Sequence, residues 1–390
     1  MTLRDEDEFE ALSENFERQT VSIVGHHPNL PDIAKNVDVF KLPGDEAAPA
    51  SVVIFPGNPG IGEYYFSFAE QLQKGTKEVF GSRCNVYTAS YRSFPSSERG
   101  FSNCANSDML NEHCDIRDEH NSFRRVLEFV LQQDGHKKLI VFGHSIGAWV
   151  LLRALALDGG RLADHLHLGV LGMPFLETDS SLFQTVVPKL FRWAPWFIVL
   201  VARFMAAAPR WVQQFIIRMN GGMDGWCRVV SLRYFAKYFK YLMAVRNLYV
   251  TENEALHPLT ESGITDLEKW GRPRPLSVRD VVERSKQNLL AIYCPGDHWA
   301  PMHHKDRLVK AGLEAKVVKD VCHGFVVQSE QSQRVATVII SFRKQCFNCF
   351  KFTRLLKFDY FQKYFKSTSI FLQGNFVFAF KILLIIFSIN

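Results

Sequence analysis

Cysteine is present but carries no pattern. The eight cysteines, Cys84, Cys104, Cys114, Cys227, Cys294, Cys322, Cys346 and Cys349, follow no framework spacing, which argues against a disulfide-stapled scaffold and for reduced thiols. Cys346 and Cys349 form a CxxC, yet no second Cys/His pair accompanies them, so neither a zinc site nor a redox pair is implied. The opening MTLRDEDEFE is acidic and does not follow the basic-then-apolar plan expected of a secretory leader. Net charge is missing over most of the length. Residues 343–390 hold eight Lys/Arg and one acid, Asp359, and so carry +7 of a formal total of +6, leaving −1 for everything before them. A body that close to neutral gives nucleic-acid binding no electrostatic support. No internal repeat is visible, which argues against a solenoid. The Gly-rich loop Pro56-Gly57-Asn58-Pro59-Gly60 has neither the Walker spacing nor its Lys, which excludes a phosphate loop.

What is there is a globular chain, 47% hydrophobic and 22% charged over 390 residues, enough for one large domain or two ordinary ones. Its organising stretch is KLIVFGHSIGAW, from Lys138 to Trp149. Leu139 to Phe142 form a short apolar run with β-branched and aromatic residues, the mark of a buried strand. Gly143-His144-Ser145-Ile146-Gly147 follows at once, and Ala148 to Leu157 reads as helix. This is the G-x-S-x-G elbow in the strand–turn–helix context it requires. A turn that tight holds its serine in a strained backbone conformation and leaves no room for a Cβ at Gly143 or Gly147.

Strands are expected at 19–24, 36–42, 51–55, 84–89, 138–142, 165–172, 287–294 and 315–319. Helices are expected at 63–73, 116–133, 148–157, 303–311 and 326–342. The alternation predicts an α/β fold with a mostly parallel sheet covered by helices on both faces. Residues 1–18 read as a frayed, disordered acidic lead-in. The core then occupies 19–173 and 288–345, interrupted by an insertion over 174–287 between the sixth and seventh strands.

A serine hydroxyl is a poor nucleophile at neutral pH until an imidazole takes its proton and a carboxylate orients that imidazole. The order Ser, Asp, His is met by Ser145, Asp297 in the Gly-Asp turn after the seventh strand, and His323 after the eighth. Glu177 and Asp179 are rival acids. His298, His303 and His304 are rival bases, but none follows an upstream acid in the proper order; His144 is assigned to shaping the turn or pocket. The PGNPG loop lies where such a fold builds half of its oxyanion hole. Pro56 and Pro59 carry no N–H, which points to Asn58 as the donor, beside the N–H of Ile146, with Gly57 and Gly60 shaping the loop. No metal or cofactor is implied.

Taken together, PGNPG after the third strand, GHSIG at the elbow, GDHWAP around the acid and HGF around the histidine resemble the lipid droplet-associated serine hydrolase family over roughly residues 20–342. The resemblance implies an α/β-hydrolase fold and places the triad on Ser145, Asp297 and His323. It also implies activity on neutral lipid esters, sterol esters above all and acylglycerols beside them. The expected partner surface is the monolayer of a lipid droplet or the cytosolic face of the endoplasmic reticulum. Acyl transfer from the same acyl-enzyme is the near alternative, and a non-catalytic droplet scaffold the distant one.

The front of the 174–287 insertion is apolar and aromatic. Trp193 to Ala208 is shorter than the ~20 residues a spanning helix needs; with Trp193, Trp196, Phe197, Ile198, Val199 and Leu200 it suits a segment lying in a membrane interface or capping an acyl pocket. Residues 346–390 depart from the resemblance and hold 11 of the 33 Phe. They read either as an added anchor near 368–389 or, preferably, as translated non-coding sequence, since Phe, Lys, Ile and Asn have AT-rich codons.

Overall fold

The computed structural model describes residues 3–22, 36–58, 60–91, 116–135, 137–157, 161–176, 204, 207–219, 222–240 and 278–344. The chain divides into two units, Met1–Ile340 and Ser341–Asn390, and the first carries all that follows.

Among the described residues, eight strands form one sheet: β1 (Glu17–Ser22), β2 (Asn36–Leu42), β3 (Ala50–Phe55), β4 (Asn85–Ala89), β5 (Lys138–His144), β6 (Leu166–Gly172), β7 (Leu289–Tyr293) and β8 (Glu314–Val317). Their spatial order is β1-β2-β4-β3-β5-β6-β7-β8. β2 pairs antiparallel with both β1 and β4, and the remaining neighbours run parallel. The expected mostly parallel sheet is therefore present. β3 and β7 are buried along their whole length, and β5 all but its first residue, as parallel strands sandwiched by helices must be.

The helices follow from their patterns. α1 is Leu3–Ser13, α2 Phe66–Phe80 and α3 Ile116–Gln133; α3 turns Phe123, Val126, Leu127 and Val130 inward, at the i, i+3, i+4, i+7 spacing of an amphipathic helix. α4 (Ile146–Leu157) is apolar almost all round, and every residue but Arg153 is buried. Such a helix has no solvent face to offer and becomes part of the core. Then come α5 (Arg161–His165), α6 (Arg210–Met219), α7 (Gly225–Lys240), α8 (Val278–Ser285) and α9 (Met302–Lys310). The expected final helix is preceded by a 3-10 turn, Phe325–Val327, and begins at residue 329.

The lead-in expectation is overturned. Residues 3–13 are helix and 17–22 are strand. Phe9 is 5% exposed. Arg228 Nη2 donates to Asp5 Oδ1 at 2.8 Å, and the Phe16 ring stacks on Phe66 with centroids 3.9 Å apart. Two aromatic anchors, Phe9 buried and Phe16 half-buried, hold a segment whose acidic composition suggested fraying.

Within the 174–287 span, α6, α7 and α8 lie among the described residues. No described helix is long and apolar enough to cross a membrane. Trp193, Trp196, Phe197, Ile198, Val199 and Leu200 lie outside the described residues, as does the 346–390 tail.

Candidate active site

Three parallel strands, β3 beside β5 and β7 one strand further along beyond β6, end at the same edge of the sheet. β3 delivers the PGNPG loop, β5 delivers Ser145 and β7 delivers Asp297. The carboxyl ends of such strands are where open α/β sheets place their ligands.

The elbow is as tight as its glycines require. A Cβ on Gly143 would stand 2.5 Å from the Gly147 carbonyl oxygen, and one on Gly147 would stand 2.5 Å from that of Pro56. Ser145 itself has φ +54°, a left-handed conformation that costs a non-glycine residue on the order of 1–2 kcal/mol. The strain is held by hydrogen bonds. Ser145 N–H donates to Gly172 O at 2.9 Å, and its carbonyl accepts from Ala148 and Phe175 N–H, each at 3.1 Å. The hydroxyl is thereby presented above the sheet at the first turn of α4.

His323 Nε2 lies 2.8 Å from Ser145 Oγ, and its Nδ1 lies 2.7 Å from Asp297 Oδ2. Trp299 and Ala300 N–H donate to Asp297 Oδ1 at 2.8 and 3.1 Å. Burial pushes the Asp297 carboxyl up, but the His323 hydrogen bond and charge, with the two backbone N–H groups, hold it below its ordinary value. An ionised Asp297 only accepts, so Nδ1 carries the proton and Nε2 is left to accept from the serine hydroxyl. Cys294 Sγ lies 3.7 Å from Asp297 Oδ2; burial, with Asp297 beside it, pushes that thiol up to about 12, so it stays an S–H donor.

A second chain of hydrogen bonds runs behind the first. Gly57 N–H donates to Tyr65 Oη at 2.7 Å, and Tyr65 Oη lies 2.7 Å from His144 Nδ1. His144 Nε2 lies 2.8 Å from the His323 carbonyl oxygen. A carbonyl can only accept, so Nε2 carries the proton and Nδ1 accepts from the phenol. Burial, with His323 nearby, pulls the His144 pKa from 6.5 to about 3, against the opposing pull of the His323 carbonyl and Asp297. Burial raises the Tyr65 pKa, which keeps that phenol a donor.

The loop after β3 offers few N–H groups. Pro56 and Pro59 have none, Gly57 N–H is taken by Tyr65, and Gly60 N–H donates to Gly57 O at 2.6 Å. Ile146 N–H stands in the first turn of α4, where N–H groups lack an intrahelical acceptor.

Ser145, Asp297 and His323, far apart in sequence, thus meet in one constellation. The rival acids Glu177 and Asp179 lie outside the described residues. The rival bases His298, His303 and His304 follow Asp297 on its loop and on α9; the imidazole that bridges Ser145 and Asp297 is that of His323. Tyr65, Cys294 and the two backbone donors to Asp297 went unnoticed in the sequence. No periodicity marks them, and only the proximity of β3, β5 and β7 gives them a role. His144 does shape the site, through contacts its position in the elbow could not reveal.

A doubly covered, mostly parallel sheet with a serine elbow after its fifth strand defines an α/β-hydrolase. Residues 48–326 match the family described as lipid-droplet associated hydrolase, and the chain belongs to that family. A lipid droplet-associated hydrolase of Drosophila melanogaster is 23% identical over 300 residues, which cover 73% of this chain and 86% of that one. Among solved structures, a protein described as a lipase from Acinetobacter baumannii AYE is similar at a TM-score of 0.52 and 10% identity, covering 89% of this chain and 98% of that one. A variant haloalkane dehalogenase from Agrobacterium tumefaciens C58 gives 0.51 and 11%, covering 86% and 99%. At such identities the two structures speak to the fold alone.

Proposed function

We propose that this hydrolase cleaves neutral lipid esters, sterol esters above all, by a Ser145–His323–Asp297 triad at a lipid surface. The observation that carries the reading is the unbroken hydrogen-bond line from Ser145 Oγ through both nitrogens of His323 to Asp297 Oδ2. In the proposed cycle Ser145 Oγ attacks the ester carbonyl while its proton passes to His323 Nε2. Asp297 stabilises the resulting imidazolium, and the N–H groups of Ile146 and Asn58 receive the oxyanion. His323 returns the proton to the departing alcohol, leaving Ser145 acylated. Water, deprotonated by His323, then attacks the acyl carbon, and His323 passes that proton to Ser145 Oγ as the fatty acid leaves.

The lipid-surface part of the reading draws on the family and on α6. Trp211, Phe215 and Met219, spaced at four residues, are 70%, 60% and 72% exposed, and Arg210 and Arg218 stand in the first and last turns of a helix with no acid. An apolar aromatic stripe with cationic ends suits a phospholipid monolayer.

The test is labelling by a fluorophosphonate probe together with hydrolysis of cholesteryl oleate in detergent. Ser145→Ala should abolish labelling and lower turnover by about 10⁴–10⁶-fold. Hydrolysis retained in that variant defeats the mechanism. Labelling without sterol-ester hydrolysis moves the substrate assignment to another ester.

A further inference from the structure

The hydrogen bonds behind the triad tie together two loops that no strand pairing connects. Gly57 precedes Asn58 in the loop after β3; His323 follows β8 at the far edge of the sheet. Between them stand two buried side chains, Tyr65 at 3% exposure and His144 at 5%. Each donor meets an acceptor in one direction: Gly57 N–H to Tyr65 Oη, Tyr65 O–H to His144 Nδ1, His144 Nε2–H to the His323 carbonyl. The polarity is consistent from end to end and admits only the neutral Nε2–H tautomer of His144. The environment enforces that form, since burial keeps His144 uncharged down to about pH 3. The surroundings also limit ring movement. Phe325 meets the His144 ring edge-on at 5.2 Å, and the His323 ring lies 5.2 Å away. A Cβ on Gly57 would touch His144 Nδ1 at 3.0 Å, so loop and ring are in direct contact.

We propose that Tyr65 and His144 form a positioning couple that sets the oxyanion loop and the base loop in register with each other around Ser145. The inference rests on the triad reading above. Neither side chain reacts. His144 holds the backbone of the residue whose side chain moves the proton, and Tyr65 holds the backbone next to the Asn58 donor. Nucleophile, base and oxyanion donor come from three separate segments, and a displacement near 1 Å in one of them costs about 100-fold in rate. A fully satisfied buried network of this kind rigidifies the groups it joins.

The experiment compares wild type, His144→Phe, His144→Gln, Tyr65→Phe and the Tyr65→Phe/His144→Phe double variant. Fluorophosphonate labelling rates and p-nitrophenyl ester kinetics are measured on each folded protein. His144→Phe and Tyr65→Phe should each lower kcat about 10–100-fold with KM little changed. The double variant should fall no further than the worse single one, because the two act as one unit. His144→Gln, which restores one donor and one acceptor, should regain most of the labelling rate. Full kcat in His144→Phe, or losses that multiply in the double variant, overturns the proposal. A packing role alone would lower the melting temperature and leave the labelling rate per folded molecule intact. Hydrogen exchange reads the couple without any activity: His144→Phe should speed exchange in both the 56–60 and 321–324 segments. Unchanged protection in either segment overturns the couple even if wild type fails to label, an outcome that separately defeats the triad reading.

Discussion

Gly57 lies directly against Ser145: a Cβ on Gly57 would stand 2.9 Å from the Ser145 Cβ and 3.0 Å from His144 Nδ1. The loop after β3 and the elbow after β5 are therefore packed at van der Waals contact, with no room between them for a methyl group. Gly57→Ala must push the loop away from the serine and take the Asn58 N–H with it. We expect kcat to fall about 10²–10³-fold, the loss typical of one oxyanion donor, with the fold retained. Ester kinetics alongside circular dichroism will check this.

Ser145 stores backbone strain that a glycine would relieve. Ser145→Gly should be more stable than Ser145→Ala by about 1 kcal/mol, since only glycine adopts φ +54° at no steric cost. Urea denaturation of the two inactive variants measures the difference. An alanine variant as stable as the glycine one counts against strain at the elbow.

Acid should weaken this protein through His144 well before its ordinary carboxylates titrate. The folded value lies at about 3 against 6.5 for the free side chain, so between those values the unfolded chain binds the proton and the folded one does not. Stability is then fully present above pH 6.5 and falls with pH toward 3, by several kcal/mol over the whole window. Asp297 acts lower down: with its folded value depressed, its contribution is present above the unfolded carboxylate value and lost as pH falls through the folded one. Urea midpoints at pH 7.5 and 4.5 should differ strongly in wild type and less in His144→Phe.

Glu63 gives the opposite sign. It is buried, and burial raises its pKa despite the pull of Tyr234 and of Arg233, whose Nη1 lies 3.2 Å from Oε1. A folded carboxyl that binds its proton more tightly than the unfolded one contributes most at low pH and loses that contribution as pH rises through its folded value. Arg233→Ala removes the counter-charge and should raise the folded value further. The stability gap between wild type and variant should widen from pH 5 to pH 8; a gap that stays constant defeats this account.

Binding to phospholipid-coated triolein droplets tests α6. Replacing Trp211, Phe215 and Met219 together with Ser should lower droplet binding at least several-fold and leave fluorophosphonate labelling in detergent unchanged. Binding that survives assigns the surface to another part of the chain.

The local grammar of this protein was legible in its residues. Apolar runs marked the central strands to within two residues or so, because strands covered on both faces have no polar side, and the 3.6 period marked α3, which buries one face. The glycines at 143 and 147 announced the elbow, because a turn that steep has no other solution. The order Ser145, Asp297, His323 was readable because each follows a strand. Where the residues misled, at 1–18, two aromatic anchors outweighed an acidic composition. Tertiary structure alone decided the rest. That Gly57 is joined to His323 through Tyr65 and His144 depends on β3 and β5 lying side by side while the chain after β8 returns over them. Hydrogen bonds among residues 57, 65, 144 and 323 leave no periodic trace, because each is fixed by direction and distance in space and not by spacing along the chain.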